Sequence, residues 1–225
     1  MCIRDSASAT GLPLRDVSCS GAQTKDMSAS QSVTPGPANP PQFDALDAAT
    51  SIVTVGIGGN DIGFTTIIKD CVSSSPFGTP CQKKYVVNGV DTLAVRINQT
   101  GPRVGAVLQE IHRRSPAARV FIVGYPAILP ETGPGCWPTM PVAINDVPYL
   151  RTVERNLNAM IRSQADANGA TYVDTYAPSI GHDACRLPTV RWVEPMVPTN
   201  PAAPVHPNAR GMQGMAAATA AAIAR

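Results

Sequence analysis

The apolar stretch at residues 51–57, SIVTVGI, runs into glycines and then into Asn60-Asp61. A side-chain amide fixed at a strand end can aim its N–H at an oxyanion developing on a substrate, an interaction worth roughly 3 kcal/mol in comparable sites. It can equally cap the turn that leaves the strand, and position alone does not separate the two readings. Ser20-Gly21 presents the same choice between a serine cap at a helix start and a backbone N–H aimed at that oxyanion. Only three histidines occur. His206 lies between prolines just ahead of a helical pattern, where an imidazole can act as general base and acid near neutral pH. His112 in EIHRRS reads as a solvated helix end, and His182 in GHDAC as part of a loop lining.

The glycines of GIGGND do not form a dinucleotide fingerprint, because the third glycine of G-x-G-x-x-G would fall on Asp61. No Gly-Lys-Ser/Thr follows, so Walker-type phosphate binding is excluded as well. The six cysteines, at 2, 19, 71, 81, 136 and 185, form no C-x-x-C pair and no Cys/His cluster with zinc spacing. Disulfides in an oxidising compartment fit them better than a metal site.

These residues need a scaffold to converge on. Four segments read as strands: residues 12–18 (LPLRDVS), 51–57, 119–125 (RVFIVGY) and 171–176 (TYVDTY). Most are near-continuous apolar runs, the pattern of parallel strands covered on both faces. Val104, Val107, Leu108 and Ile111 recur at helical spacing, as do Leu150, Val153, Leu157 and Ile161 on a second helix that Gly169 closes. The last helix starts after Pro207, with Asn208 as its cap. Alternating strands and helices predict an α/β sandwich with a mostly parallel sheet, in which working residues sit beyond the carboxyl ends of the strands. The loops carrying Gly21, Asn60 and His206 all fall there.

A length of 225 residues suits one domain. A net charge of +2 without any long Lys/Arg run suggests neither a nucleic-acid footprint nor an electrostatic membrane patch. The longest apolar run, near MAAATAAAIA, is far below the roughly 20 residues that span a bilayer, so no integral membrane segment is expected. A monomer acting on a small or neutral ligand is the expectation. The 22 prolines concentrate in long, stiff loops.

Taken together and in this order, DVSCSGAQT, IGGNDIGF, VGYPAILP, GHDAC, RWVEPMVP and APVHPNARGM resemble the disulfide-bonded, secreted bacterial branch of the SGNH (GDSL-type) lipase/esterase hydrolases. The resemblance covers residues 7–225 as a single domain, with residues 1–6 as a leader foreign to it. It implies a flavodoxin-like three-layer α/β/α sandwich and hydrolysis of carboxylic esters, of lipid or acetylated sugar, through a serine acyl-enzyme. It makes Gly21 and Asn60 the oxyanion hole and His206 the base. It also pairs Cys71 with Cys81 and Cys136 with Cys185, and it calls for no metal or organic cofactor. A non-catalytic ligand-binding protein that kept this fold is the alternative.

Two departures accompany the resemblance. The family's nucleophile is the serine of a Gly-Asp-Ser motif ending the first strand, and here the nearest match is Asp5-Ser6. Seven residues between Ser6 and Leu14 are too few for a parallel crossover, and no apolar strand precedes Ser6. Residues 7–11 read instead as the end of the helix that follows the nucleophile strand. The expectation is therefore that this strand is missing, that Cys19 lacks its N-terminal partner, that no signal peptide is present although secretion is implied, and that the chain as written is inactive. The second departure lies three residues before His206, where many relatives carry Asp and this chain has Ala203. The Ala203 backbone carbonyl is expected to orient the imidazole by accepting its Nδ1–H. Glu194 and Asp183 are weaker candidates for that task, both expected to tolerate alanine with most activity kept.

Overall fold

A computed structural model describes residues 11 and 13–225. Its central sheet holds β1 (Ile52–Val55), β4 (Arg119–Val123) and β5 (Thr171–Val173), all parallel, in the order β1-β4-β5. Each of these strands lies inside a segment whose apolar run predicts it. Successive residues of β4 face opposite ways, and the packing follows that alternation. Val120 and Ile122 join the core formed with Val104 and Leu108 of helix α3 (Thr92–Arg114) and Leu157 and Ile161 of helix α4 (Val147–Ala167). Arg119 and Phe121 share the other face, where the Arg119 guanidinium lies over the Phe121 ring and donates to the Ile223 carbonyl. Ile223 ends helix α6 (Ala209–Ile223). Helices therefore cover both faces, the three-layer α/β/α sandwich that the resemblance implies.

The helical spacings hold. Val104, Val107, Leu108 and Ile111 are all buried on α3, and Val153, Leu157 and Ile161 on α4. The Asp91 side chain caps α3 by accepting the Leu93 and Ala94 N–H groups, and Asn208 caps α6 by accepting the Gly211 N–H. His112 is half-buried rather than solvated, with its ring near Gly169 at the end of α4.

Residues 13–18 correct the strand expected at 12–18. They run along the surface without regular structure, and Arg15 ties them down by donating to the Asp44 and Ala45 carbonyls. A strand is defined by its ladder, and among the described residues no strand lies beside this segment. The Asp5-Ser6 pair and the helix end read at residues 7–10 lie outside the described residues.

The remaining elements are local. Helix α1 (Phe64–Cys71) and helix α2 (Pro80–Tyr85) are joined by the Cys71–Cys81 disulfide, and Cys136–Cys185 links two loops beyond the sheet, so both implied pairings hold. A small hairpin, β2 (Val86–Val87) and β3 (Val90–Asp91), turns on Asn88-Gly89, both at positive φ. The short helix α5 (Tyr176–Ser179) follows β5. No helix among the described residues is long and apolar enough to cross a membrane.

Candidate functional site

Three loops meet beyond the carboxyl ends of the strands around one cleft of about 350 Å³. Gly21, Asn60 and His206 all line it. Apolar side chains make up most of the remaining wall, among them Ile67, Leu129, Met140, Val142 and Leu157.

The first loop is fixed by the second. The Asn60 amide donates one N–H to the Ala22 carbonyl at 3.0 Å, while the Asn60 carbonyl accepts from Gln23 Nε2 at 3.0 Å. A primary amide has two N–H donors, so one remains after the Ala22 bond. Asp61 accepts both the backbone N–H and the hydroxyl of Thr24, the latter at 2.5 Å, and its side chain is almost fully buried. It stitches the two loops together and organises the turn. Gly21 adopts φ 78°, which favours glycine. The Ser20 carbonyl accepts Gln31 Nε2 at 2.8 Å, and a trans peptide points its N–H opposite its C=O. The Gly21 N–H therefore faces away from Gln31, with no acceptor among the described residues.

Behind Asn60, the buried Tyr125 hydroxyl accepts the Gly59 N–H at 2.9 Å. A Cβ at position 59 would lie 2.7 Å from that oxygen, so only glycine admits the approach. Burial pushes the Tyr125 phenol up to about 12, against the opposing Gly59 N–H. Sequence reasoning misses Tyr125 because nothing distinguishes it from a core aromatic at a strand end.

His206 stands on a loop bound to residues 191–194. Glu194 N–H donates to the His206 carbonyl at 3.0 Å, and Val205 N–H donates to the Glu194 carbonyl at 3.1 Å. Phe64 meets the imidazole edge-on, with ring centroids 6.3 Å apart. The carbonyl at Nδ1 is that of Pro204, 2.8 Å away. Ala203 O accepts the His206 backbone N–H instead, so the carbonyl beside the ring is one residue closer than expected. Val205 between them has φ 59°, a left-handed conformation that a β-branched residue adopts only under constraint.

Glu194 is fully buried and faces donors on every side. Arg191 donates to both of its oxygens, at 3.0 and 2.6 Å. The Thr199 and Asn200 N–H groups and the Asn200 and Asn208 amides complete the set. Burial pushes this carboxyl up, but the bonds from Arg191, Asn208, Asn200 and Thr199 outweigh it and hold it well below the usual carboxylate range. Glu194 is thus the buried anchor of the loop, its carboxylate committed to these donors. Asp183 is occupied by the Cys185 N–H and Arg186. His182 stacks on Trp192, with centroids 5.0 Å apart, and its Nδ1 lies 2.7 Å from the Val190 carbonyl.

Residues 4–213 match the model of the GDSL-like Lipase/Acylhydrolase family. The chain is 41% identical over 229 residues to Lipase 2 of Streptomyces coelicolor, covering 96% of this chain and 75% of that protein. Three further Streptomyces relatives are 27–29% identical, and the chain spans 56–65% of their length. Among solved structures, an extracellular lipase of Streptomyces rimosus superposes with a TM-score of 0.73 at 23% identity, covering 91% of this chain and 78% of that one. A phospholipase A1 of Streptomyces albidoflavus superposes with a TM-score of 0.65 at 24% identity, covering 92% and 77%. With the sandwich and cleft already described, these matches establish that the chain belongs to the GDSL-like lipase/acylhydrolase family of carboxylic ester hydrolases.

Proposed function

We propose that the cleft cleaves carboxylic esters through a serine acyl-enzyme, with His206 as the base and Gly21 N–H and Asn60 as oxyanion donors. The observation carrying this reading is that three loops, far apart in sequence, bring an imidazole and two N–H donors to one apolar cleft. His206 takes the serine proton as the hydroxyl attacks the ester carbonyl, then returns it to the leaving alcohol. The Gly21 N–H, the second Asn60 N–H and the serine's own N–H stabilise the oxyanion. Water repeats the sequence to release the acid. The apolar wall suits an acyl chain, and a volume of this order is ordinary for a small-molecule site. The two disulfides fit a monomer working outside the cell.

The nucleophile belongs to the family's Gly-Asp-Ser strand. Of the described serines only Ser20 lines the cleft, and it belongs to the Gly21 loop. The 225-residue chain is accordingly proposed not to turn over esters. Hydrolysis of p-nitrophenyl butyrate by the purified chain is the test, and turnover abolished by Ser6→Ala or Ser20→Ala would overturn that part. In a form carrying the family's Gly-Asp-Ser strand, Asn60→Ala should lower kcat by roughly 10²–10³-fold. Unchanged kcat in Asn60→Ala and His206→Ala would refute these residue roles, and absence of ester turnover in that form would favour a binding protein.

A further inference from the structure

Among the described residues lining the cleft, a single carboxylic side chain appears: Glu154. It lies on α4 beside Val153, one turn from Leu150 and Leu157, and all three of these line the same wall. Glu154 is 9% exposed. Its two oxygens share one donor, the Ile128 N–H, at 3.2 and 3.3 Å. No Lys or Arg among the described residues pairs with it, and neighbouring Arg155 turns instead to Glu131. An apolar residue would fill this position at no desolvation cost, so a carboxyl here needs a reason.

We propose that Glu154 forms a polar subsite on the apolar wall, which takes a hydrogen-bond acceptor (an ether, keto or second ester oxygen) carried on the substrate chain. The proposal rests on the cleft's being the ester site. Burial pushes the carboxyl up to about 8, more strongly than the Ile128 N–H lowers it, so the group is neutral at pH 7. A neutral carboxyl has one O–H donor, and the bond Glu154 makes with the Ile128 N–H uses only its acceptor capacity. The subsite therefore donates where its neighbours Leu150, Val153 and Leu157 cannot. The charged and titratable groups around it are Arg155 on α4, Glu131 on the loop after β4, Tyr176 on α5, and Tyr125 and His206 on the cleft wall. Tyr125 and Tyr176 are each pushed up to about 12, chiefly by burial, and stay neutral through the range in which Glu154 ionises.

Titration calorimetry on the 225-residue chain tests this without turnover. The probes are 2-undecanone and an analogue with an ether oxygen replacing one mid-chain methylene. At pH 6.5 the ether should bind about tenfold more tightly, the worth of one buried hydrogen bond, and at pH 9.5 the preference should vanish as both probes weaken. Glu154→Gln keeps a donor and should hold the preference at both pH values. Glu154→Leu should lose it at both while binding the plain ketone at least as well. Equal binding of the two probes by the unaltered chain at pH 6.5, or discrimination surviving in Glu154→Leu, overturns the subsite alone. Failure of both probes to bind at all overturns the ester reading with it. The comparison of the two pH values in the unaltered chain decides the question even if a variant does not fold.

Discussion

Replacing Glu194 by alanine should be among the most damaging single changes in the molecule, although Glu194 touches no substrate. The substitution leaves the Arg191 guanidinium, 4% exposed, without its counter-charge and removes the acceptor of the Thr199 and Asn200 N–H groups and the Asn200 and Asn208 amides. Breaking a buried pair by removing one partner costs about 3–5 kcal/mol. In a domain of this size that corresponds to a fall in Tm of roughly 10 °C. Glu194→Gln should fail almost as badly, because donors face both carboxylate oxygens and the amide NH₂ would meet some of them head-on. The discriminating variant is Arg191→Met with Glu194→Leu, which removes both charges and fills the space. By the same reasoning it should lose less than Glu194→Ala alone. Thermal melts followed by circular dichroism, run for all three and for the single Arg191→Met and Glu194→Leu that complete a double-mutant cycle, would measure this. The pH dependence gives a second check. A carboxyl held below its unfolded value contributes stability above about pH 4.5 and loses it progressively as pH falls, so the acid limb of the melting profile should flatten in the double variant. If Glu194→Ala melts within about 1 kcal/mol of the unaltered chain, or the double variant loses more than the single, the anchor argument is refuted.

Glu154 should produce the opposite slope. Its carboxyl is raised from 4.5 to about 8 chiefly by burial, so its contribution is complete below pH 4.5 and is lost as pH rises through 8. At about 1.4 kcal/mol per pH unit the loss reaches about 5 kcal/mol. Glu154→Gln should abolish that decline in urea melts at pH 5 and pH 8, and an identical slope in both proteins would contradict the assignment. Gly214→Ala should unseat Trp192, because a Cβ there runs into the indole ring. A loss of about 1–3 kcal/mol is expected, with a change in Trp192 fluorescence, and a neutral substitution would show that the helix can yield.

The sequence carries the sheet and both long helices because burial on two faces leaves a plain mark, the apolar runs at 52–55 and 119–123 and the 3.6-residue spacing on α3 and α4. Residues 12–18 mislead for the converse reason. Apolar residues such as Leu12, Leu14 and Val17 show that a segment can form a strand, but only a neighbouring ladder makes it one. The Asn88-Gly89 hairpin shows a signal present in the residues and left unused. At the site, the Asn60 loop is legible because loops that end parallel strands gather at one edge, and the loops carrying Gly21 and His206 meet it there. The roles of Pro204, Tyr125, Glu154 and Glu194 are not. Each depends on a contact between distant segments or on a peptide orientation, and neither leaves a periodic trace. His206 Nδ1 meets Pro204 O rather than Ala203 O only because Val205 bends the chain at φ 59°.

In the proposed mechanism, that bend bears on how His206 works as the base. In a triad the carboxylate both orients the imidazole and stabilises the imidazolium that forms. A carbonyl divides these tasks, since it fixes the ring by accepting the Nδ1–H but offers only a dipole to the positive charge. The frame must then supply rigidity. A β-branched residue held in the left-handed region costs on the order of 1–3 kcal/mol and persists only where its surroundings impose it. Here the two backbone bonds between Glu194 and the Val205-His206 pair, together with the burial of Val205, impose it. The Glu194 carboxylate fixes the other side through Arg191 and Asn208, and Asn208 caps α6. Charge that a triad would place beside the imidazole is spent here on the loop that carries it.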